Sequence, residues 1–450
     1  MTRIISPQEA SKMLDAMAKE CAVIKNPAGI YPPYDIVPMA KKVMPPLKTI
    51  KAVVSDMDGT TTTTEGLCIH SLEYMVRQIT GQMDVSQWPG LNPDTDYPHI
   101  IGNSTTRHVE YLLERYQTAI HLEEFKKAFL KAALWFLIKG QDDQRKIEVR
   151  RNLIALQCQP VFEVIESYRH DDLLDPQTIW KRTEKKLLTT CFKGITFFTE
   201  TQKVKMAVDI YYQRYHEILS AIDHHEKIPY MSTVESLIEP MPGIGIYLAL
   251  MKGFLGDEIL SLLPILKNEY EQKSGKPFLE QESLEDKLLY ISTYFEKHPI
   301  KIAIVTSSIF YEARIVMNHV FERLNHQMRE WPLSEIRKKH LLSAFSTYYS
   351  IYDAFVTASD SNEIRLKPHR DLYSIALHQL GISSEDFETV VGFEDSESGT
   401  IALRAAGIGL CCAVPFHETK GHNLSAASLI LLGGIPEVIL KQYAFLTFED

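Results

Sequence analysis

The chain has 450 residues and a mass of 51.5 kDa, room for roughly two to four domains. Its 45% hydrophobic and 24% charged residues exclude a disordered or fibrous protein. With 48 Lys+Arg against 58 Asp+Glu the formal net charge is −10, which argues against a broad grip on nucleic-acid phosphates but not against one small anion in a local pocket. Six cysteines without a CxxC pair do not form a disulfide framework and point to a reducing, cytoplasmic setting. The apolar run 132–138, flanked by Lys131 and Lys139, is far too short to cross a membrane. The N-terminal region, with Glu9, Asp15 and Glu20 at helical spacing, lacks the apolar core of a signal peptide.

In chain order, residues 7–25 read as an amphipathic helix with Met13, Leu14, Met17 and Val23 along one side. Prolines 27, 32, 33, 38, 45 and 46 make the following stretch an extended connector, so 1–48 is an N-terminal helix and connector. Residues 49–55 form a short, largely apolar β-branched run, the pattern of a buried parallel strand, and end in Asp56-Met57-Asp58-Gly59-Thr60. From 67 to 239 the periodicity turns helical. Val109, Leu112, Leu113, Tyr116 and Ile120 share one helix face, and 122–139, 147–168, 174–190 and 201–222 read similarly. The segment 121–220 carries 17 Lys+Arg against 14 Asp+Glu, a charge balance that suits the solvated faces of helices. After Pro240-Met241-Pro242-Gly243 strands are expected at 301–305, 353–357, 388–392 and 408–414, with helices between them, including 371–380 and 398–406. Short apolar strands alternating with helices define an α/β fold: a Rossmann-like, doubly wound parallel sheet with both faces covered. Such sheets bind ligands at the carboxyl ends of their strands.

The polar residues at those ends form a set. Asp56 and Asp58 follow the first strand, Thr306, Ser307 and Ser308 the second, Lys367-Pro368 the third, and Glu394-Asp395 the fourth. Carboxylates from two strands can hold a hard divalent cation, and Mg²⁺ suits a site that leans on a few carboxylates and a substrate phosphate. A hydroxyl and a lysine supply donors and positive charge to phosphoryl oxygens. A carboxylate nucleophile gives an aspartyl-phosphate, which a second carboxyl group can help form and hydrolyse. Each piece alone has an ordinary reading, as a turn, a helix cap or a solvated lysine. Their joint occurrence in order, each at an expected strand end, is what points to phosphoryl transfer.

These four segments resemble the motifs of the haloacid-dehalogenase-like phosphohydrolase superfamily. The matching stretches are Val53-Val54-Ser55-Asp56-Met57-Asp58-Gly59-Thr60, 300–308 ending in Thr306-Ser307-Ser308, Leu366-Lys367-Pro368-His369-Arg370-Asp371-Leu372-Tyr373, and Val391-Gly392-Phe393-Glu394-Asp395-Ser396-Glu397-Ser398-Gly399. The Glu-Asp-Ser form of the last is most like the β-phosphoglucomutase and phosphoglycolate-phosphatase branch. The resemblance implies a core of 49–66 and 240–450, with helical insertions at about 253–299 and 318–350, and an enlarged helical cap domain at 67–239, inserted after the first strand. It implies Asp56 as nucleophile and Asp58 as general acid/base, phosphate binding by Thr306, Ser307 and Lys367, and an Mg²⁺ site of Asp56, Asp58 (through its carbonyl), Glu394 and Asp395. Arg370 stands where the family's third motif carries a second proline. The segment 101–108 resembles the cap's specificity loop, so Arg107 or His108 is either a contact to the leaving group or an exposed residue in the first turn of a 106–120 helix. The implied activity is a Mg²⁺-dependent phosphatase that hydrolyses a small phosphorylated metabolite. A β-phosphoglucomutase-like mutase is the alternative, weakened by Cys68 and Thr105, where the mutase carries His and Arg. A catalytically silent scaffold protein of the same fold is a further one. No nucleic-acid or membrane partner is expected, and the oligomeric state stays open.

Overall fold

A computed structural model describes residues 3–26, 30–101, 105–168, 175–228, 237–360, 363–416, 419 and 421–448. The chain divides into two compact units, Met1–Thr64 with Ile238–Asp450, and Glu65–Leu237.

The first unit opens with helix Pro7–Met17, and here the structure departs from the expected 7–25 helix: Glu20–Lys25 (β1) is a strand, paired antiparallel with Tyr34–Met39 (β2). The reason lies in its burial, which alternates with period two: Ala22 and Ile24 are buried while Val23 is exposed. A buried guanidinium anchors this hairpin. Arg404 donates from Nε to Ala40 O (3.0 Å), from Nη1 to Ala426 O (3.3 Å) and from Nη2 to Glu20 Oε2 (2.7 Å).

The main sheet comprises Ala52–Asp56 (β3), Lys301–Val305 (β4), Ala354–Val356 (β5), Val390–Glu394 (β6), Leu410–Ala413 (β7) and Leu429–Ile430 (β8). Its order is β5-β4-β3-β6-β7-β8, and every neighbouring pair is parallel. This is the doubly wound, Rossmann-like arrangement expected from the strand–helix alternation. All five residues of β3 and of β6 are buried, as central parallel strands require. One face packs on helices Asp371–Gln379 and Glu397–Ala405 through Val54, Val305, Tyr373, Ala376, Ala402 and Leu403. Helix Ile244–Met251, buried all round, sets Tyr247 edge-on to Phe393 of β6, with ring centroids 5.5 Å apart. The two-residue β8 is not expected from the sequence, because so short a run has no period of its own.

The insertions of this unit are helical: Leu263–Ser274 and Leu284–Lys297 in the first, and the far end of Phe310–Arg329 with Glu335–Ala344 in the second. They are tied together at Glu258, which accepts from Ser334 N (2.6 Å), Ser334 Oγ (2.7 Å) and Arg337 Nε (3.1 Å). Beside them, Glu269 accepts from the Gly243 backbone N–H while its Oε2 is buried with no hydrogen-bond partner among the described residues, and burial pushes its carboxyl up to about 7. A carboxyl raised in the folded state holds its proton there while the unfolded chain has already lost it. Its contribution to stability is therefore whole below pH 4.5 and declines as pH rises to about 7. Glu269→Gln is thus expected to melt higher than wild type at pH 8 and together with it at pH 4; coincident melts at both would remove the burial penalty.

The second unit contains helices and no strand among the described residues. The stretch expected as one helix over 147–168 is two, Asp143–Ala155 and Pro160–Ser167, because Gln157 takes φ 55° and Pro160 cannot donate to a continuing helix. Helix Glu200–Asp223 buries unusual polarity: Asp209 accepts from Arg145 Nη2 (2.9 Å) and Asn152 Nδ2 (2.8 Å), and Arg214 lies against His70. No helix among the described residues is long and apolar enough to cross a membrane.

Candidate active site

The sheet register assembles the site. Asp56 is the last residue of β3 and lies opposite Val305, so Thr306 follows directly on one side; Ser55 pairs with Phe393, so Glu394 stands beside Asp56 on the other. Past Asp56 the chain must turn sharply. Met57 N still bonds Val305 O (3.1 Å), then Gly59 at φ 81° reverses direction in a region that disfavours side chains. Four of the five consecutive threonines, Thr61 to Thr64, fasten the turn. Thr61 Oγ1 donates to Asp56 O (2.7 Å), Thr62 Oγ1 to Met57 O (3.3 Å) and Thr64 Oγ1 to Asp58 Oδ1, while Thr63 Oγ1 accepts from Glu239 N (3.0 Å).

Three carboxylates and one ammonium share the buried centre. Asp56, Glu394 and Asp395 each offer an oxygen within 4.8 Å of the others, and all three residues are buried. Lys367, its side chain 9% exposed, donates from Nζ to Asp56 Oδ1 and stands 2.8 Å from Glu394 Oε1. Glu394 is held from several directions. Its Oε1 also accepts from the Tyr373 hydroxyl, and its Oε2 accepts from Asp395 N (3.2 Å) and Ser396 Oγ (3.1 Å).

The electrostatics follow from this crowding. Burial and then the Glu394 carboxylate push Asp56 well above the usual carboxylate range, against the pull of Lys367. Burial opposes the charge on Lys367, but Asp56 and Glu394 outweigh it and hold its ammonium above the ordinary lysine value. Three buried acidic groups with one such cation between them call for more positive charge. The all-oxygen donor set suits a hard divalent ion such as Mg²⁺, so the residues present fit the expected metal.

Asp58 faces a different set of donors. Its carboxylate accepts from Thr306 Oγ1 (2.7 Å), Ser308 Oγ (3.4 Å) and Thr64 Oγ1. Thr306 is fully buried and its Oγ1 also accepts from Ser308 N (2.9 Å). The residue after it, Ser307, is exposed; it is Ser308 whose hydroxyl turns to Asp58.

Asp56, Asp58, Thr306, Lys367, Glu394 and Asp395 are therefore brought together. Arg107 and His108 belong to the helical unit, on helix Thr105–Arg115, where Arg107 is exposed and His108 is buried rather than in solvent. Residues 102–104 of the expected specificity loop lie outside the described residues. A cavity of about 1070 Å³ within the helical unit, bordered by Arg145, Glu148 and Asn152, contains none of the motif residues. Sequence reasoning gave no role to Thr64, Tyr373 and Ser396, and named Ser308 in the hydroxyl cluster after β4 without assigning it one. The threonine run at 60–64 was a visible signal for the first; Tyr373, on an apolar helix face, gave none.

No family model matches the chain, and no curated protein does. Solved structures similar to it include CbbY from Rhodobacter sphaeroides in complex with phosphate (13% identity, 86% of this chain and 96% of that one, TM-score 0.33). A putative phosphoglycolate phosphatase from Lactobacillus delbrueckii subsp. bulgaricus (15%, 87% and 99%, TM-score 0.39) and β-phosphoglucomutase from Clostridium difficile (14%, 88% and 97%, TM-score 0.34) are others. These are haloacid-dehalogenase-like hydrolases and mutases, the superfamily the four motifs resemble.

Proposed function

We propose that the protein is a Mg²⁺-dependent phosphomonoesterase of the haloacid-dehalogenase-like superfamily, acting on a small phosphorylated metabolite through an aspartyl-phosphate at Asp56. The observation that carries this reading is the buried junction of Asp56, Lys367, Glu394 and Asp395 at the carboxyl ends of adjacent strands, with Asp58 two residues from Asp56. Asp56 Oδ attacks phosphorus as the bond to the ester oxygen breaks. Asp58 gives its proton to the departing alkoxide, then takes one from the water that splits the aspartyl-phosphate, which frees inorganic phosphate and restores Asp56. Thr64, Thr306 and Ser308 orient Asp58 for both transfers. Lys367 neutralises the carboxylate–phosphate approach from the side of Glu394. Asp56, Glu394, Asp395 and the Asp58 carbonyl would hold Mg²⁺, which would supply the further charge neutralisation the anionic pair needs. Six free cysteines, four of them buried, fit a cytoplasmic enzyme.

The test is phosphate release from a panel of phosphorylated metabolites with Mg²⁺ and with EDTA. Release is expected from at least one substrate, to fall to background with EDTA and to return with excess Mg²⁺. Isomerisation of a hexose phosphate without net phosphate release would replace this reading by the mutase.

A further inference from the structure

Tyr373 has no part in the reaction as derived above, yet it touches two members of the site at once. It lies on helix Asp371–Gln379, fully buried, with Leu372, Ala376 and Leu377 of the same helix packed in the core. Its hydroxyl donates to Glu394 Oε1, the same oxygen that Lys367 approaches at 2.8 Å. Its ring stands beside the ammonium, with Lys367 Nζ 5.1 Å from the centroid. A phenylalanine would fill the same space. A buried hydroxyl costs desolvation unless it is bonded, and Glu394 is its hydrogen-bond partner among the described residues. The phenol therefore does something that packing does not require.

What it does follows from the arrangement around Glu394. Oε2 is fixed by Asp395 N and Ser396 Oγ, both on the glutamate's own loop. Oε1 has the ammonium at the end of a four-carbon lysine stem and the phenol of a helix packed in the core. Without the phenol the carboxylate is tethered at one oxygen by its own loop and at the other by a flexible partner, and the ammonium loses a wall that attracts it. Resting on the phosphatase reading, we infer that Tyr373 is a positioning residue for phosphoryl transfer. Its hydroxyl locks the Glu394 carboxylate, and its ring face confines the Lys367 ammonium to the Asp56 side.

Tyr373→Phe keeps the ring and deletes the hydroxyl; Tyr373→Leu deletes both. With p-nitrophenyl phosphate as probe, kcat for Tyr373→Phe is expected to fall about 10-fold with KM within twofold, and to fall further in Tyr373→Leu, in line with the roughly 10–100-fold effects of residues that orient metal ligands. Calorimetric titration of Mg²⁺ into each protein, without substrate, is the second readout, and about 10-fold weaker binding is expected for Tyr373→Phe. Thermal melts correct both for any unfolded fraction. A Tyr373→Phe protein whose corrected kcat and Mg²⁺ affinity both lie within twofold of wild type overturns the inference while leaving the phosphatase reading intact. If wild type cleaves no ester, that reading fails, and the Mg²⁺ titrations alone decide the role of Tyr373.

Discussion

Asp56→Asn should abolish phosphate release, by about a thousandfold or more at saturating substrate, as expected when a covalent nucleophile is removed. An amide matches the carboxylate in shape but offers no anionic oxygen to phosphorus. The same substitution separates chemistry from stability. Burial and Glu394 raise the Asp56 carboxyl well above its ordinary 3.8, so the folded state disfavours its ionised form more than Lys367 favours it. The stability this group contributes is whole below pH 3.8 and lost as pH rises through the raised folded value. Without metal at pH 8, the Asn variant should therefore melt no lower than wild type, because Lys367 keeps Glu394 as a partner. Dead catalysis in a protein at least as stable is the combined result. Equal phosphate release by the two proteins would end the aspartyl-phosphate mechanism.

Gly399→Ala carries the second large effect, without touching a reacting group. Gly399 sits in the first turn of helix Glu397–Ala405, where its N–H bonds Ser396 Oγ (3.1 Å), and a Cβ built there would overlap the Glu394 carboxylate. Glu394 is fully buried and held by Tyr373, Lys367 and Ser396, so it has nowhere to retreat. Either the carboxylate or the helix start must move. Overpacking of a filled site costs about 1–3 kcal/mol, and a displacement near 1 Å in a catalytic constellation can cost about 100-fold in rate. We expect kcat/KM to fall by about that factor, with a measurable drop in Tm; wild-type kinetics in this variant would mean that Glu394 does not set the geometry of the site.

The parts of the site that can be read along the chain are those that end a strand. Asp56, Thr306 and Glu394-Asp395 each end or directly follow a short apolar strand, and parallel pairing carries such positions to one edge, whereas Lys367 reaches that edge from the loop after β5 and was legible through its Lys-Pro motif. Thr64 and Ser308 belong to hydroxyl-rich stretches whose direction depends on the turn at Gly59 and the helix that starts at Phe310. Tyr373 falls on an apolar helix face, where it reads as filling for the core; its hydroxyl finds Glu394 through the packing of that helix on β3, β4 and β5. The same limit explains β1. Residues 20–25 satisfy a helical spacing as well as an alternating one, and pairing with β2, fastened by Arg404 from the far end of the chain, resolves the choice.

Period, composition and order along the chain were enough to establish a doubly wound sheet interrupted by a long helical segment, because apolar spacing is a local property that folding must bury. They also singled out the acidic, hydroxyl and lysine residues at the strand ends. Which atoms meet there is a matter of three dimensions. The Lys367 ammonium between Asp56 and Glu394, the three hydroxyls on Asp58 and the phenol on Glu394 join segments up to 311 residues apart. No spacing rule spans such distances: contacts of that reach exist once register, helix docking and side-chain packing are all in place.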